Sequence, residues 1–235
     1  MQLLLLSNST IAGSSYFSFV NQHLFQFLGK KVMHGCFIPF AGVTISWDEY
    51  YEMVNHHFTG SAHTVESVHT ADNMIECIEK SDFIMVGGGN TFQLIAELQK
   101  HNLLPTIRKK VLDNTPYIGW SAGSNICCPT INTTNDMPIV CPQNFDALNL
   151  IPFQINPHYT NASIPNHAGE TRDARILEYI EVNREKYVAG LPENCLFKVN
   201  GSKLTFEGEK LCRIFKYGTE IQDVDKSADF QFLMQ

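Results

Sequence analysis

The sequence predicts an α/β fold built on a doubly wound, mostly parallel β-sheet. The first observation behind this prediction is that short, continuous apolar runs recur along the chain, as in strands that are buried on both faces. The second is that segments with apolar residues at helical spacing separate these runs. The third is that glycine-rich or polar stretches follow several of the runs, where parallel sheets bind their ligands.

Strands and helices alternate in the first part of the chain. The apolar run at residues 3–6 predicts a buried strand, and apolar residues at helical spacing predict a helix over residues 15–28. Residues 32–40 form the second predicted strand. A capping box of Ser46 and Glu49 then marks the start of the next helix, which we expect to reach about residue 58.

The same alternation continues to the middle of the chain. The elements predicted there are a strand over residues 63–69, a helix over 71–80, a strand over 83–86, a helix after Asn90, a helix over 105–112 and a strand at 117–118. Three consecutive glycines, residues 87–89, follow the strand over 83–86. They lie at the edge of the sheet where a ligand would bind.

The rhythm breaks at residues 129–150, which are rich in Pro, Asn and Thr and show little periodicity. An irregular stretch of this length is typical of a functional lid, and we call it the flap. The elements predicted beyond it are a strand over residues 151–155 that ends in Asn156, Pro157 and His158, a helix over 169–184, strands over 188–191 and 196–199, and antiparallel hairpins from Gly201. Without a repeat or a linker, one domain over residues 1–235 is the best interpretation.

Composition and charge exclude several classes of protein. The formal net charge is −7, and no basic run could neutralise the phosphates of a nucleic acid. No stretch approaches the ~20 apolar residues of a membrane span, and the N-terminus lacks the basic start of a signal peptide. Seven cysteines without a C-x-x-C pair indicate reduced thiols, so we expect a cytosolic protein. No residue cluster has metal-ligand spacing, and we expect no metal.

The segment around Ser121 is the strongest candidate for chemistry. Residues 119–123 read Gly-Trp-Ser-Ala-Gly, the pattern of a nucleophile elbow, which exposes a serine hydroxyl between a strand and a helix. Both glycines are expected where neighbouring backbone leaves no room for a side chain. On the pentapeptide alone, a glycine-rich turn with an incidental serine is an equal alternative.

A serine nucleophile needs a base, and the base needs a carboxylate that orients it. His158 follows a buried strand at the sheet edge where Ser121 is expected, so we select it from the nine histidines. Asp136 in the flap and Glu193 just after the strand over residues 188–191 are both candidates for the carboxylate. We favour Glu193, because the end of a strand holds a side chain more rigidly than a flap does.

The oxyanion hole of such a site needs two backbone N–H donors. Ala122 follows the nucleophile and is the natural first donor. We expect Gly88 to supply the second, with Gly89 one step away, because bare backbone can approach a substrate closely. A phosphate-binding role for the glycine triplet is the alternative, and it is weakened because no complete P-loop or dinucleotide-binding pattern is present.

Several motifs, taken together and in order, resemble those of the peptidase E family of serine peptidases. They are LLLLSNST, FIPFAGVT, SWDEY, VGGGNTFQL, GWSAGSN, TTNDMPIV, FDALNLIPFQINPHYTN, GETRDARI and GLPEN. The similarity covers roughly residues 1–200 and is less clear from residue 201 onward. This family is related to cyanophycinase and, more distantly, to class I glutamine amidotransferases. The resemblance therefore implies a three-layer α/β/α fold of the amidotransferase-like kind.

The resemblance also implies the roles of the site residues. By motif, Ser121 matches the nucleophile, His158 the base and Glu193 the orienting carboxylate. The expected substrate-binding residues are Arg172, which would hold the aspartate of the substrate, Asn90 and Asp136, which would also shape the flap. Ser124 departs from the pattern, since many relatives carry alanine there, and we expect no effect on the chemistry.

The expected function is hydrolysis of Asp-X dipeptides by a serine exopeptidase that uses no cofactor. A cyanophycinase-like peptidase acting on β-aspartyl links shares the nucleophile and is the first alternative. A non-catalytic, amidotransferase-like binding protein is the second, and it is disfavoured because all three candidate catalytic residues are present. We expect small peptides as partners, no nucleic acid or membrane, and a monomer or homodimer.

Overall fold

The computed structural model describes residues 1–162 and 169–235. Its strands are β1 (Gln2–Leu6), β2 (His34–Ile38), β3 (Thr64–Ser67), β4 (Phe83–Val86), β5 (Tyr117–Trp120), β6 (Gln154–Tyr159), β7 (Tyr187–Pro192), β8 (Leu196–Asn200), β9 (Lys203–Glu207), β10 (Cys212–Lys216) and β11 (Gln222–Val224). Its helices are α1 (Ser18–Leu28), α2 (Trp47–Asn55), α3 (Met74–Lys80), α4 (Thr91–Lys100), α5 (Leu104–Leu112), α6 (Ala122–Asn125) and α7 (Arg172–Val182). None of these helices is long and apolar enough to cross a membrane.

A seven-stranded sheet forms the centre of the molecule, in the order β3-β2-β4-β5-β1-β8-β9. The first five strands in this order are parallel, and β8 and β9 are added antiparallel at the far edge. The pairing of β1 with β5 places Leu6 beside Trp120, the residue that precedes Ser121. This large, mostly parallel sheet with flanking helices confirms the predicted fold class.

Helices cover both faces of this sheet, and β1 shows how. Leu3 and Leu5 belong to the apolar core that includes buried residues of α3, α4 and α5. Leu4 and Leu6 belong to a second core, which includes buried residues of α1 and α2. Successive side chains of a strand point to opposite faces, so a continuous apolar run is required where both faces are covered.

The helix α2 shows how the sequence defines an element locally. Ser46 Oγ accepts a hydrogen bond from the backbone N–H of Glu49, and the carboxylate of Glu49 accepts one from the N–H of Ser46. This is the predicted capping box. The helix ends at Asn55, before the predicted limit near residue 58, because His56–Phe58 tighten into a 3₁₀ turn.

A second, four-stranded sheet holds strands from the last part of the chain, in the order β11-β10-β7-β6. The strand predicted over residues 151–155, ending in Asn156, Pro157 and His158, starts later than predicted, at Gln154. Strand β6 runs from there through His158 to Tyr159, with an irregular register between Asn156 and Tyr159 where it pairs with β7. A bulge of this kind turns a side chain out of the regular alternation of a strand.

The C-terminal strands are antiparallel additions to both sheets. Strand β9 follows β8 through a turn at Gly201, whose φ of 63° suits glycine, and pairs with β8 in the large sheet. Strand β10 pairs with β7 and β11 in the second sheet. The chain after residue 201 therefore adds to the edges of both sheets.

The flap contains no named helix or strand in the structure, as its composition predicts. It is nevertheless held by backbone hydrogen bonds: Ile131 N–H donates to Phe145 O at 3.0 Å, and Ala147 N–H donates to Pro129 O at 3.0 Å. These bonds join the beginning of the flap to its end. Such a closed loop can carry side chains to a fixed place beside the sheet.

Candidate active site

Ser121 lies between strand β5 and helix α6 in a strained backbone conformation. Its φ of 53° and ψ of −112° lie outside the regions that side-chain-bearing residues normally adopt. The conformation is held because Ser121 N–H donates to Leu6 O at 3.0 Å, while Ser121 O accepts from the N–H of Asn125 at 2.9 Å. A strand edge and a helix start thus fix the backbone on both sides of the hydroxyl.

The two glycines of the elbow are required by close backbone packing, as the sequence predicts. A Cβ on Gly119 would lie 2.4 Å from the carbonyl oxygen of Gly123. A Cβ on Gly123 would lie 2.1 Å from the carbonyl oxygen of Val86 in the neighbouring strand. The helix that follows is shorter than the sequence suggests, because α6 ends after a single turn at Asn125.

His158 lies between the hydroxyl of Ser121 and a carboxylate. Its Nε2 lies 3.0 Å from Ser121 Oγ, and its Nδ1 lies 2.9 Å from Glu193 Oε1. The side chains of His158 and Glu193 are 41% and 46% exposed, so both remain in contact with solvent. This arrangement lets Glu193 hold the imidazole in the tautomer that leaves Nε2 free to accept a proton from the serine.

Asp136, the competing candidate for the carboxylate, has other partners. Its Oδ2 accepts hydrogen bonds from Thr91 N–H at 2.7 Å, from Thr91 Oγ1 at 2.6 Å and from Thr134 Oγ1 at 2.9 Å. The negative side chain thereby satisfies the N-terminus of α4 and ties the flap to that helix. The structure brings Glu193, rather than Asp136, to His158.

Asn90 fastens the same part of the flap. Its Oδ1 accepts from the N–H of Gln93 at 3.0 Å and caps α4, while its Nδ2 donates to Met137 O at 2.9 Å. Both ends of this amide are therefore engaged within the protein. Asn90 and Asp136 line the cavity in front of Ser121, and together they place the flap over it.

Gly88 lies directly against the nucleophile. A Cβ at this position would come within 2.9 Å of Ser121 Cβ and 3.0 Å of the carbonyl oxygen of Trp120. In residues 1–162 and 169–235, neither the N–H of Gly88 nor that of Ala122 donates a hydrogen bond. The two donors named from the sequence are thus unengaged on either side of the serine.

A cavity of about 720 Å³ opens in front of Ser121 and His158. Part of its wall is apolar and solvent-exposed, since Val43, Met53 and Ile139 are 52%, 38% and 50% exposed. Exposed apolar side chains gathered at a cavity are typical of a binding surface. The cavity thus combines a polar floor at the nucleophile with an apolar wall.

Arg172 is the first residue of α7, and Thr171 caps this helix by accepting from Ala174 N–H at 3.1 Å. Partial burial and, secondarily, the charge of Arg175 lower the pKa of the Arg172 guanidinium, while the charge of Asp136 opposes this shift. In the part of the chain that the structure describes, the residues lining the cavity in front of Ser121 do not include Arg172. Residues 163–168, which precede this helix, lie outside the described residues.

Ser7 and Asn8 are site residues that the sequence analysis did not identify. Buried Ser7 accepts a hydrogen bond on Oγ from His158 N–H at 2.8 Å and donates one to Leu191 O at 2.8 Å. Buried Asn8 accepts on Oδ1 from the N–H of Asn194, the residue after Glu193, at 2.8 Å. One polar loop after β1 thus supports both the base and the carboxylate.

The chain is similar to known peptidases along most of its length. A family model described as peptidase family S51 matches residues 3–206. A Peptidase E from a Nostoc species is 47% identical over 234 residues, which cover 100% of this chain and 97% of that protein. A Peptidase E from Salmonella arizonae is 46% identical over 223 residues, which cover 94% of this chain and 96% of that protein.

Two solved structures are similar. A putative peptidase E protein from Listeria monocytogenes has a TM-score of 0.65 at 26% identity and covers 88% of this chain and 98% of its own. A peptidase from an acI-B1 actinobacterium has a TM-score of 0.70 at 14% identity, and the similarity covers 97% of this chain and 96% of that protein. Because its identity is only 14%, the second structure shows a shared fold alone.

Proposed function

The chain belongs to peptidase family S51 and is a serine-type peptidase, and we propose that it removes N-terminal aspartate from dipeptides. The observation that carries this proposal is the hydrogen-bonded series Glu193–His158–Ser121, with contacts of 2.9 and 3.0 Å. The relatives named Peptidase E support it over the whole length of the chain.

The proposed reaction begins at Ser121. His158 Nε2 accepts the hydroxyl proton while Ser121 Oγ attacks the scissile carbonyl, and Glu193 stabilises the imidazolium that forms. His158 then gives the proton to the leaving amine, so an acyl-enzyme remains on the serine. Water then takes the place of the amine, and its oxygen bonds to the acyl carbon as His158 accepts one of its protons. The bond from the acyl carbon to Ser121 Oγ breaks as His158 returns that proton to Oγ, which releases aspartate and restores the free serine.

The oxyanion is proposed to lie between Gly88 and Ala122. Backbone N–H groups stabilise the developing charge best when they are fixed before the reaction starts. Loss of one such donor typically costs about 3 kcal/mol of transition-state stabilisation. The position of Gly88 beside Ser121 Cβ supports this assignment.

Two charged residues are proposed to recognise the aspartyl residue. Arg172 would bind its side-chain carboxylate, because a planar guanidinium matches a carboxylate with two parallel hydrogen bonds. Asp136 would bind its free amine through Oδ1, which accepts no hydrogen bond in the described part of the chain. Asn90 would act by holding the flap in place.

The apolar wall of the cavity is proposed to contact the residue that leaves. Val43 and Met53 come from the loop after β2 and from α2, and Ile139 comes from the flap. A leaving residue with an apolar side chain would bury part of this surface. Each buried methylene contributes about 0.8 kcal/mol.

The test is hydrolysis of Asp-Leu beside Glu-Leu, N-acetyl-Asp-Leu and β-Asp-Leu by the wild-type protein and by Ser121→Ala. We expect cleavage of Asp-Leu alone, abolished in the variant, because the site requires an aspartate carboxylate and a free amine. Circular dichroism checks that both proteins are folded. Preference for β-Asp-Leu would reassign the substrate, and folded protein that cleaves none of the four would overturn the proposal.

The cellular setting is also a proposal. We place the protein in the cytosol, supported by the seven cysteines, all of which are free and six of which are buried. Reduced thiols persist in that compartment. Sedimentation at working concentration would show which of the two expected states, monomer or homodimer, the protein adopts.

A further inference from the structure

The glycine loop Gly87–Asn90 is fastened at both ends to the segment around β2. Gly87 N–H donates to Ile38 O at 3.1 Å, and Asn90 N–H donates to Ala41 O at 2.8 Å. Between these points lie Gly88 and Gly89, which have no side chains to restrict their backbone angles. Glycine explores more conformations than any other residue, so this stretch needs a further constraint to hold a fixed shape.

Tyr50 supplies that constraint from α2. Its hydroxyl donates to Gly88 O at 3.0 Å and accepts a hydrogen bond from Trp120 Nε1 at 3.0 Å. Trp120 immediately precedes the nucleophile. One hydroxyl therefore joins the glycine loop to the strand that carries Ser121.

The hydroxyl of Tyr50 is suited to a permanent role as donor. The side chain is buried, and burial raises the pKa of Tyr50 to about 12. It therefore keeps its proton throughout the pH range of ordinary assays. Its single proton goes to Gly88 O, because the Trp120 indole is itself a donor and needs only the oxygen.

We propose that Tyr50 is a positioning residue for the oxyanion hole. By fixing the carbonyl of Gly88, it sets the plane of the Gly88–Gly89 peptide and limits rotation about the bonds on either side of Gly88. The Gly88 N–H is thereby held toward Ser121 before any substrate arrives. This inference rests on the proposed function only in assigning that N–H to the oxyanion.

The aromatic ring of Tyr50 packs independently of its hydroxyl. The ring meets Phe37 edge to face at 5.2 Å between centroids, and a Cβ on Gly87 would lie 2.9 Å from the ring carbon Cε1 of Tyr50. Tyr50→Phe retains the ring and removes only the two hydrogen bonds. It is therefore a direct probe of the tie between α2, the loop and Trp120.

Tyr51→Phe is the matched control. Tyr51 is the next residue of α2, and its hydroxyl donates to the backbone carbonyl of Val65 at 2.9 Å, in strand β3. Each variant loses one hydroxyl that donates to a carbonyl. Only Tyr50 bonds to the glycine loop.

The first measurement is the kinetics of Asp-Leu hydrolysis. We expect Tyr50→Phe to lower kcat by about 10- to 50-fold, less than the roughly 10²- to 10³-fold that follows removal of an oxyanion donor itself. KM should change by less than about twofold, because the bond affects the transition state rather than substrate binding. Tyr51→Phe should keep kcat within about twofold of wild type. Equal kcat values for the two variants would overturn the proposal.

The second measurement is the rate at which a fluorophosphonate inactivates each protein. Its phosphoryl oxygen occupies the oxyanion position but needs no aspartate recognition, so Tyr50→Phe should react more slowly by a similar factor. All assays contain sucrose, which favours folded states, and rates are expressed per reactive serine. If the Tyr50 hydroxyl only stabilised the fold, Tyr50→Phe would lower the melting temperature and leave kcat and the inactivation rate unchanged.

The two proposals fail in distinguishable ways. If wild-type protein reacts with the fluorophosphonate but cleaves no peptide, the proposed substrate is wrong and the inactivation rates still test Tyr50. If peptides are cleaved and Tyr50→Phe reacts like Tyr51→Phe, the proposed function stands and the role of Tyr50 is disproved.

Discussion

The proposed active site has two halves that are built by different means, one with the proposed nucleophile and one with the proposed base. The nucleophile half consists of Ser121, Ala122 and the glycine loop, and it belongs to the close-packed interior of the large sheet. The base half consists of His158 and Glu193, which the second sheet presents with side chains 41% and 46% exposed. Backbone packing defines the first half, and a few hydrogen bonds from the loop after β1 define the second.

This difference determines what each half tolerates. Close packing leaves no space for added atoms, so the nucleophile half should be sensitive to small side chains placed on its glycines. The base half has free space around it but depends on single hydroxyl and amide groups. It should therefore be sensitive to the removal of one hydrogen bond.

The largest expected effect on activity is at His158. His158→Ala should lower kcat for Asp-Leu by about 10⁴-fold or more, since the serine loses its base. The free energy of unfolding should change by no more than about 1 kcal/mol, because the side chain is half exposed. His56→Ala, at an exposed histidine outside the site, is the control for kinetics and urea unfolding. A His158→Ala protein with more than about 1% of wild-type kcat would assign the base to another group.

The largest expected effect on stability is at Gly123. Gly123→Ala would bring a Cβ to 2.1 Å from Val86 O, so we expect the free energy of unfolding to fall by about 3 kcal/mol and activity to be lost. Gly218→Ala has the same added methyl and a φ of 74°, but no atom within 4 Å. It should cost only about 1 kcal/mol. If urea unfolding showed equal losses of unfolding free energy in Gly123→Ala and Gly218→Ala, the packing explanation would be contradicted.

A smaller effect is expected at Ser7, which supports the base half. Ser7→Ala leaves the His158 N–H without its acceptor, so we expect kcat to fall about tenfold and stability to fall by about 1–2 kcal/mol. Ser124→Ala is the matched control, because this buried hydroxyl donates to Leu6 O and Gly119 O and touches neither His158 nor Glu193. It should lose about 1 kcal/mol of stability and keep its kcat. If both variants lose kcat equally, Ser7 does not position the base.

The smallest effect is expected at the apolar wall. Met53→Ser should raise KM for Asp-Leu by about fivefold, corresponding to about 1 kcal/mol of lost apolar contact, and leave KM for Asp-Gly nearly unchanged. Val32→Ser changes an exposed apolar residue that does not line this cavity and should alter neither value. If Met53→Ser raised KM equally for both peptides, the side chain of the leaving residue would not contact this wall.

The nucleophile half could be predicted because its determinants are adjacent in sequence. The apolar run of β4, the capping box at Ser46 and the crowding at Gly119 and Gly123 all depend on local spacing or on neighbouring strands. Each was predicted and is present. Short patterns of adjacent residues mark these features, even where the contact itself joins different elements, as it does for Gly123 and Val86.

The base half was predicted less completely because its determinants are distant. The structure places Glu193, the favoured carboxylate, beside His158, but β6 begins at Gln154 rather than at residue 151 and carries an irregular register that was not predicted. Periodicity does not reveal a bulge or a separate sheet. Ser7 and Asn8 bond to groups that only the folded topology brings near, so no local pattern indicated their contacts.

The loop after β1 also determines when the site can form as the protein is made. Ser7 bonds to a residue 184 positions later, and Asn8 to one 186 positions later. At about 5–20 residues per second, a ribosome needs roughly 10–40 s to add that length of chain. Contacts at such separation also form late in folding. A growing chain therefore carries Ser121 well before it carries a positioned base, and the peptidase becomes competent only after Glu193 and Asn194 have been added.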